Sequence, residues 1–234
     1  MKVILLAGGY GTRISEETAE KPKPMVLVNG RPILEHVIDI YLKQGFNDFV
    51  VAAGYKSEVI ADWASGAIDR GINVVSINTG LDTQTGGRIR QCLEIIGDER
   101  VFVTYGDGVG NVNLKGLLKF HLQSGKLATV TAVRPPARFG VLESKNGLVT
   151  HFGEKNQTDS GWINGGFFVL EPAVKDYVLS NSEPFEKFSL PRLVQAGELM
   201  AFHHDGFWQP MDTLREKNEL EELAQLPSVP WLNL

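Results

Sequence analysis

The sequence predicts an α/β fold: one domain on a mainly parallel, mixed Rossmann-like sheet flanked by helices, plus a small strand-rich portion. Three observations carry this. Short, continuous apolar runs alternate with amphipathic helical patterns, as buried parallel strands and their crossover helices do. The length of 234 residues suits one domain with a modest elaboration. And the first apolar run drops directly into "LLAGGYGTR" (5–13), a glycine turn of the kind that follows the opening strand of such sheets.

The strands are expected at "KVILL" (2–6), "FVVAA" (49–53), "NVVSI" (73–77), "VFVTY" (101–105) and "LATVTAV" (127–133). Between them, Leu34, Val37, Ile38, Tyr41 and Leu42 recur at helical spacing, and Gly45 closes the segment. Leu114, Leu117, Leu118, His121 and Leu122 repeat that spacing behind Asn113 as N-cap. Residues 139–170 read as short strands broken by glycine and polar turns. "TLREKNELEELAQL" (213–226) reads as a closing helix, with Thr213 and Glu216 spaced as a capping box. No internal repeat, linker or low-complexity tract interrupts this order.

Composition narrows the function. Apolar residues make up 43% and charged residues 22%, enough for a sizeable core. The formal net charge is -5 and no long Lys/Arg run exists, which argues against a general nucleic-acid surface. Any anion must be held by local groups. The lone cysteine, Cys92, sits among apolar residues at helical spacing and is expected to be buried packing. No apolar run approaches the roughly 20 residues of a membrane span, and residues 1–7 are too short for a signal peptide. A cytoplasmic protein without membrane attachment is expected.

The glycine turn fails two familiar tests. The dinucleotide fingerprint finds Gly9 and Gly11 but then Ile14 in place of its third glycine. The Walker A loop fails at Gly125-Lys126, which Leu127 follows and Phe120 precedes at the first-glycine position. What remains is bare backbone able to approach an anion, then Thr12 and Arg13, then "KPKPM" (21–25). Arg13 offers a planar fork for phosphate oxygens. Pro22 and Pro24 stiffen the backbone around Lys23 and aim its side chain. The histidines His36, His121, His151, His203 and His204 stand in no H-x-x-x-H or Cys/His arrangement, so zinc is not expected. No G-x-S-x-G elbow is present.

"LLAGGYGTR" followed by "KPKPM" resembles the sugar-1-phosphate nucleotidyltransferases. "TGGR" (85–88), "TYGDGV" (104–109), "RFGVLE" (138–143), "INGGFFVL" (163–170) and "FWQPMDTLREK" (207–217) make it most similar to the glucose-1-phosphate cytidylyltransferases. The resemblance covers nearly the whole chain. It implies a nucleotide-binding part over about 1–135, a sugar-phosphate-binding part over about 136–212, and the closing helix. It implies transfer of a cytidylyl group from CTP to a sugar 1-phosphate, with Mg²⁺ as cofactor and a homo-oligomeric assembly.

By the same resemblance, Leu6, Ala7, Gly8, Gly9, Gly11, Thr12, Arg13, Lys23, Thr85, Gly86 and Gly87 bind the nucleotide, with Ala7, Gly8, Gly86 and Gly87 bordering the base. Arg13, Lys23 and Asp107 are the implied catalytic residues, and Asp107 and Asp212 hold the metal. Both aspartates also suit Mg²⁺ by their own chemistry. Asp107 follows a strand at the end where α/β crevices form, and Asp212 precedes a capped helix. Gly140, Glu154, Lys155, Asn164 and Gly165 are implied to bind the sugar phosphate, Lys155 at the phosphate and Glu154 at sugar hydroxyls. Two departures from the family pattern stand out. Asn156 follows the Glu-Lys pair where proline is usual, and the span from Tyr55 to Thr79 is short. Other readings remain open: the same chemistry with another nucleotide (UTP, dTTP, GTP) or another phosphorylated acceptor, or a non-catalytic nucleotide-sensing subunit.

Overall fold

Alternating residues of the first strand bury into two different cores, so the sheet must be covered on both faces. Val3, Leu5 and Ala7 join one apolar cluster, while Ile4 and Leu6 join the other. The computed structural model describes residues 1–18, 20–135, 140–145, 148–154 and 161–233, apart from most side chains between 140 and 154.

The elements follow the expected order. Strand β1 (Val3–Ala7) leads through the glycine turn into the short helix α1 (Ser15–Thr18) and the small hairpin β2 (Leu27–Val28) and β3 (Arg31–Pro32). Helix α2 (Ile33–Lys43), strand β4 (Asp48–Ala53), helix α3 (Ser57–Asp69) and strand β5 (Asn73–Asn78) come next. The short 55–79 span is thus filled by α3 and β5, joined through Arg70, Gly71 and Ile72. Helix α4 (Thr85–Ile96), strands β6 (Val101–Tyr105) and β7 (Gly108–Gly110), helix α5 (Leu114–Ser124) and strand β8 (Ala128–Val133) complete the regular half. The second half holds the hairpin β9 (Gly140–Lys145) and β10 (Leu148–Glu154), then β11 (Ile163–Asn164) and β12 (Phe168–Leu170). It closes with α6 (Leu190–Gln195), β13 (Leu199–His204), β14 (Trp208–Pro210) and α7 (Leu214–Ala224).

Eight strands form the main sheet, ordered β11-β8-β12-β6-β1-β4-β5 with β13 on β8. β1 pairs parallel with β4 and β6, β4 with β5, and β8 with β13. Only β11 and β12 run antiparallel within it. Helices α2, α3, α5 and α7 cover one face through Val37, Ile60, Leu117 and Leu220, while α4 and α6 cover the other through Leu93 and Leu193.

Local expectations are met in detail. Gly45 has φ 88, the side chain of Asn113 accepts from the Gly116 N–H, and Thr213 and Glu216 form both halves of their capping box. Cys92 is fully buried, its thiol pushed up to about 12 by burial. His121 is a core histidine between Thr129 and Glu171. One position differs: Leu122 is exposed, because α5 turns Leu114, Leu117, Leu118 and His121 toward the core and Leu122 away from it.

Candidate active site

The carboxyl ends of β1, β4, β5 and β6 open into two hollows that meet. The first, about 410 Å³, is lined by Leu6, Ala7, Gly8, Gly9, Gly11, Thr12, Arg13 and Lys23 from the first strand and loop, by Leu81 and Thr83 ahead of α4, by Thr85 at its start, and by Arg88 and Tyr105. The second, about 540 Å³, is bounded by Thr104, Asn164, Gly165, Trp208 and Asp212. Arg13, Tyr105 and Asp107 border both, so ligands filling the two would meet beside them.

At the junction the charged groups are in contact. The Lys23 ammonium lies 2.6 Å from an Asp107 oxygen and 2.7 Å from an Asp212 oxygen. Arg13 Nη1 reaches the other Asp212 oxygen at 2.7 Å. Each member is placed by its local backbone. Pro22 caps a one-turn 3₁₀ helix, Lys23–Met25, and Pro24 sits inside it, an arrangement that leaves the Lys23 side chain only 10% exposed. Asp107 sits in the tight connection between β6 and β7. Strand β14 pairs antiparallel with β7, and the Met211 N–H donates to the Asp107 carbonyl, which carries Asp212 alongside. The Glu216 carboxylate then fixes the backbone N–H groups of Asp212 and Thr213. Burial alone would raise the Asp212 carboxyl and lower the Lys23 ammonium. Their mutual pairing outweighs burial, holding Asp212 below and Lys23 above its ordinary value.

The first loop divides its labour. Gly11 takes a left-handed φ of 66, and a Cβ there would press on Thr18 at 2.8 Å. Gly9 has neither feature; its Cβ direction is open and it is exposed. Gly8 serves close approach, with a side chain as its neighbour: a Cβ would fall 2.1 Å from the Arg88 guanidinium.

Arg88 is the residue that sequence reasoning missed, although it ends the quoted "TGGR". Its Nη1 donates to Ala53 O, Thr79 Oγ1 and Gly80 O, and its Nη2 to Gly8 O and Leu81 O. No carboxylate pairs with it among the described residues, and burial pulls its guanidinium below the usual value. Arg88 thus ties the first loop, the end of β4 and the 79–81 loop around one cation. The only forewarning was an arginine opening an otherwise amphipathic helix face.

Gly86 and Gly87 line neither of these two hollows; added Cβ atoms would strike Glu183 O at 2.6 Å and Asn181 O at 2.5 Å. Their bare faces let α4 pack against the 181–185 segment. Asn164 and Gly165 do border the second hollow, and Gly165 O accepts from the Trp208 indole N–H. Gly140 and Glu154 face each other across the β9–β10 hairpin; the Glu154 side chain and all of Lys155 lie outside the described residues. A third hollow, about 570 Å³, opens at the opposite end of the strands, where Arg100 pairs with Glu171 and Lys126 with Glu198. It holds none of the expected residues.

Residues 2–215 match the nucleotidyl transferase family. The chain is 44% identical to a glucose-1-phosphate cytidylyltransferase from Salmonella typhimurium, over 99% of this chain and 98% of that protein. It is 32% identical to the catalytic subunit beta of mannose-1-phosphate guanylyltransferase from Xenopus tropicalis, over 92% of this chain and 63% of that one. In structure it resembles HddC from Yersinia pseudotuberculosis, with a TM-score of 0.78 at 24% identity, covering 96% and 99% of the two chains. With the family shown over nearly its whole length, the chain is a member of the nucleotidyl transferase family, an enzyme similar to glucose-1-phosphate cytidylyltransferase.

Proposed function

We propose that this enzyme transfers the cytidylyl group of CTP to α-D-glucose 1-phosphate with the help of Mg²⁺, giving CDP-glucose and pyrophosphate. The observation that carries the reading is the Lys23–Asp107–Asp212 contact, with Arg13 beside it, at the meeting point of two hollows. A phosphate oxygen of the sugar phosphate attacks the α-phosphorus, and the bond to the pyrophosphate oxygen breaks. Both reactants are anions, so catalysis rests on positioning and charge neutralisation rather than on a protein nucleophile.

The first hollow would take the nucleotide and the second the sugar phosphate. Lys23, kept cationic by its two carboxylates, and Arg13, whose side chain is 69% exposed, would steady the triphosphate and offset charge as pyrophosphate leaves. The donor set fits a hard dication: two carboxylates close enough to share one ammonium, with no histidine or cysteine grouped with them among the described residues. Asp107 and Asp212 would hold Mg²⁺, which when bound supplies further neutralisation at the reacting phosphates. Lys155, by resemblance, would orient the attacking phosphate, with Glu154, Gly140, Asn164 and Gly165 around the sugar.

Identity to a glucose-1-phosphate cytidylyltransferase supports the choice of CTP and glucose 1-phosphate. Identity to a mannose-1-phosphate guanylyltransferase makes GTP with mannose 1-phosphate the second pair to try. The test is pyrophosphate release across a panel of nucleoside triphosphates and phosphorylated sugars. CTP with glucose 1-phosphate should give the highest kcat/KM, and EDTA should abolish turnover. A different preferred pair would replace the substrates, and turnover with no pair would leave a nucleotide-binding protein.

A further inference from the structure

Between the two hollows lies a carboxylate that borders neither. Glu186 sits on a π-helical turn, Phe185–Ser189, an irregularity often found beside functional sites. Its two oxygens are used by two different walls. Oε1 accepts from the Tyr105 hydroxyl at 2.6 Å, and Oε2 accepts from the Thr85 hydroxyl at 2.8 Å. Thr85 is the first residue of α4, and its hydroxyl oxygen also accepts from the Phe185 N–H at 2.8 Å. It belongs to the segment that walls the first hollow.

Tyr105 leads to the second hollow. Its hydroxyl oxygen accepts from Asn164 Nδ2 at 3.1 Å, while Asn164 Oδ1 accepts from the Gly166 N–H at 2.8 Å. The Asn164 amide is therefore held at both ends. Gly166, at φ 74, leaves room for the Tyr105 ring, which a Cβ would meet at 2.9 Å. No Lys, Arg or His is paired with Glu186 among the described residues, so its charge is satisfied by neutral hydroxyl donors. Each of these donates to one carboxylate oxygen, and neither can be turned away without leaving that oxygen unmatched.

We propose that Glu186 is a positioning residue that couples the two substrate subsites. Fixing Thr85 fixes the carboxylate, which fixes the Tyr105 hydroxyl, which orients the Asn164 amide. The inference rests on the assignment of nucleotide to the first hollow and sugar phosphate to the second. It adds that each substrate tightens the other through this chain of side chains, over and above their direct meeting, because coupling between sites is reciprocal.

The test is calorimetric binding of a non-hydrolysable CTP analogue with Mg²⁺, with and without saturating glucose 1-phosphate, and the reverse titration. In the native enzyme each ligand should strengthen the other by about fivefold or more, equally in both directions. In Glu186→Gln the mutual strengthening should fall to within about twofold, because the amide offers one acceptor where two hydroxyls need one each. Tyr105→Phe and Thr85→Val each cut one arm and should lose it as well, keeping the test open if the Gln variant folds poorly. Loss of sugar-phosphate affinity alone, with mutual strengthening intact, would leave Glu186 a support of the sugar subsite only and overturn the proposal. Strengthening retained in all three variants would overturn it too. If the native enzyme binds neither ligand, the substrate assignment itself falls and takes this inference with it.

Discussion

Replacing Arg88 by Lys keeps the charge and removes the fork. The guanidinium spreads its donors over five oxygens, three from Nη1 and two from Nη2. A single ammonium has three donors on one nitrogen and cannot stand in both places. At least two hydrogen bonds are lost, and the acceptors around this 4%-exposed side chain are poorly reached by water. At about 1.5 kcal/mol for each bond to a charged group, the cost is about 3 kcal/mol. For a chain of this size that corresponds to a melting temperature lower by roughly 6–12 °C. Because the Gly8 and Leu81 carbonyls are among the released groups, nucleotide affinity should fall by about tenfold or more, or about 1.4 kcal/mol. Thermal unfolding by circular dichroism and calorimetric titration with CTP measure the two effects. Gly8→Ala provides the mirror test, since its Cβ must displace the same guanidinium. If Arg88→Lys melts within about 2 °C of the native enzyme and binds CTP equally well, Arg88 is not the strut described here.

Asp107→Asn and Asp212→Asn should each lower kcat by about 100-fold or more, read as pyrophosphate release at saturating Mg²⁺. The double variant should also lose about 3–5 kcal/mol of stability in urea, because it leaves the buried Lys23 ammonium without a carboxylate. Arg13→Lys should lower kcat by about tenfold even at saturating CTP if two guanidinium nitrogens engage phosphate; an unchanged kcat would reduce Arg13 to a general attraction. Burial depresses His36, His121 and His204 below the ordinary histidine value. Their neutral forms are favoured by the fold, so this stability is fully present above about pH 6.5 and is lost as pH falls, by up to about 1.4 kcal/mol per pH unit for each. Urea midpoints that stay flat between pH 7.5 and 5.5 would contradict it.

Where sequence and structure agree, the reason is local. Continuous apolar runs can be buried only as central strands, and β6 begins and ends at the residues its pattern marks, Val101 and Tyr105. Asn113 and Thr213 cap their helices through contacts three residues away, which spacing alone reveals. Asp107, Lys23 and Asp212 were legible as chemistry, but not as three groups in contact, because their meeting depends on the β7–β14 pairing, which no short-range pattern encodes. Glycine was the least legible residue. The same bare backbone at Gly8, Gly11 and Gly87 serves a buried arginine, a left-handed turn and helix packing in turn. Only the neighbours, distant in sequence, distinguish these uses. Arg88 and Glu186 escaped for the same reason, since each acts on partners drawn from several segments.

The β7–β14 ribbon also sets when the charged centre can exist. Lys23 and Asp212 are 189 positions apart, and Arg13 and Asp212 are 199 apart. Bringing Asp212 to Asp107 closes a loop of roughly 100 residues, an entropic toll of about 4 kcal/mol before any constant term. The ion pairs are too small a reward for that alone. The ribbon and the packing of α7 through Leu220 and Ala224 must do it. Contacts of such sequence separation are slow to form, because loop-closure entropy is lost before they offset it. Until β14 and α7 have docked, the centre lacks the Asp212 carboxylate. The charged cluster is therefore complete only once the polypeptide has closed on itself.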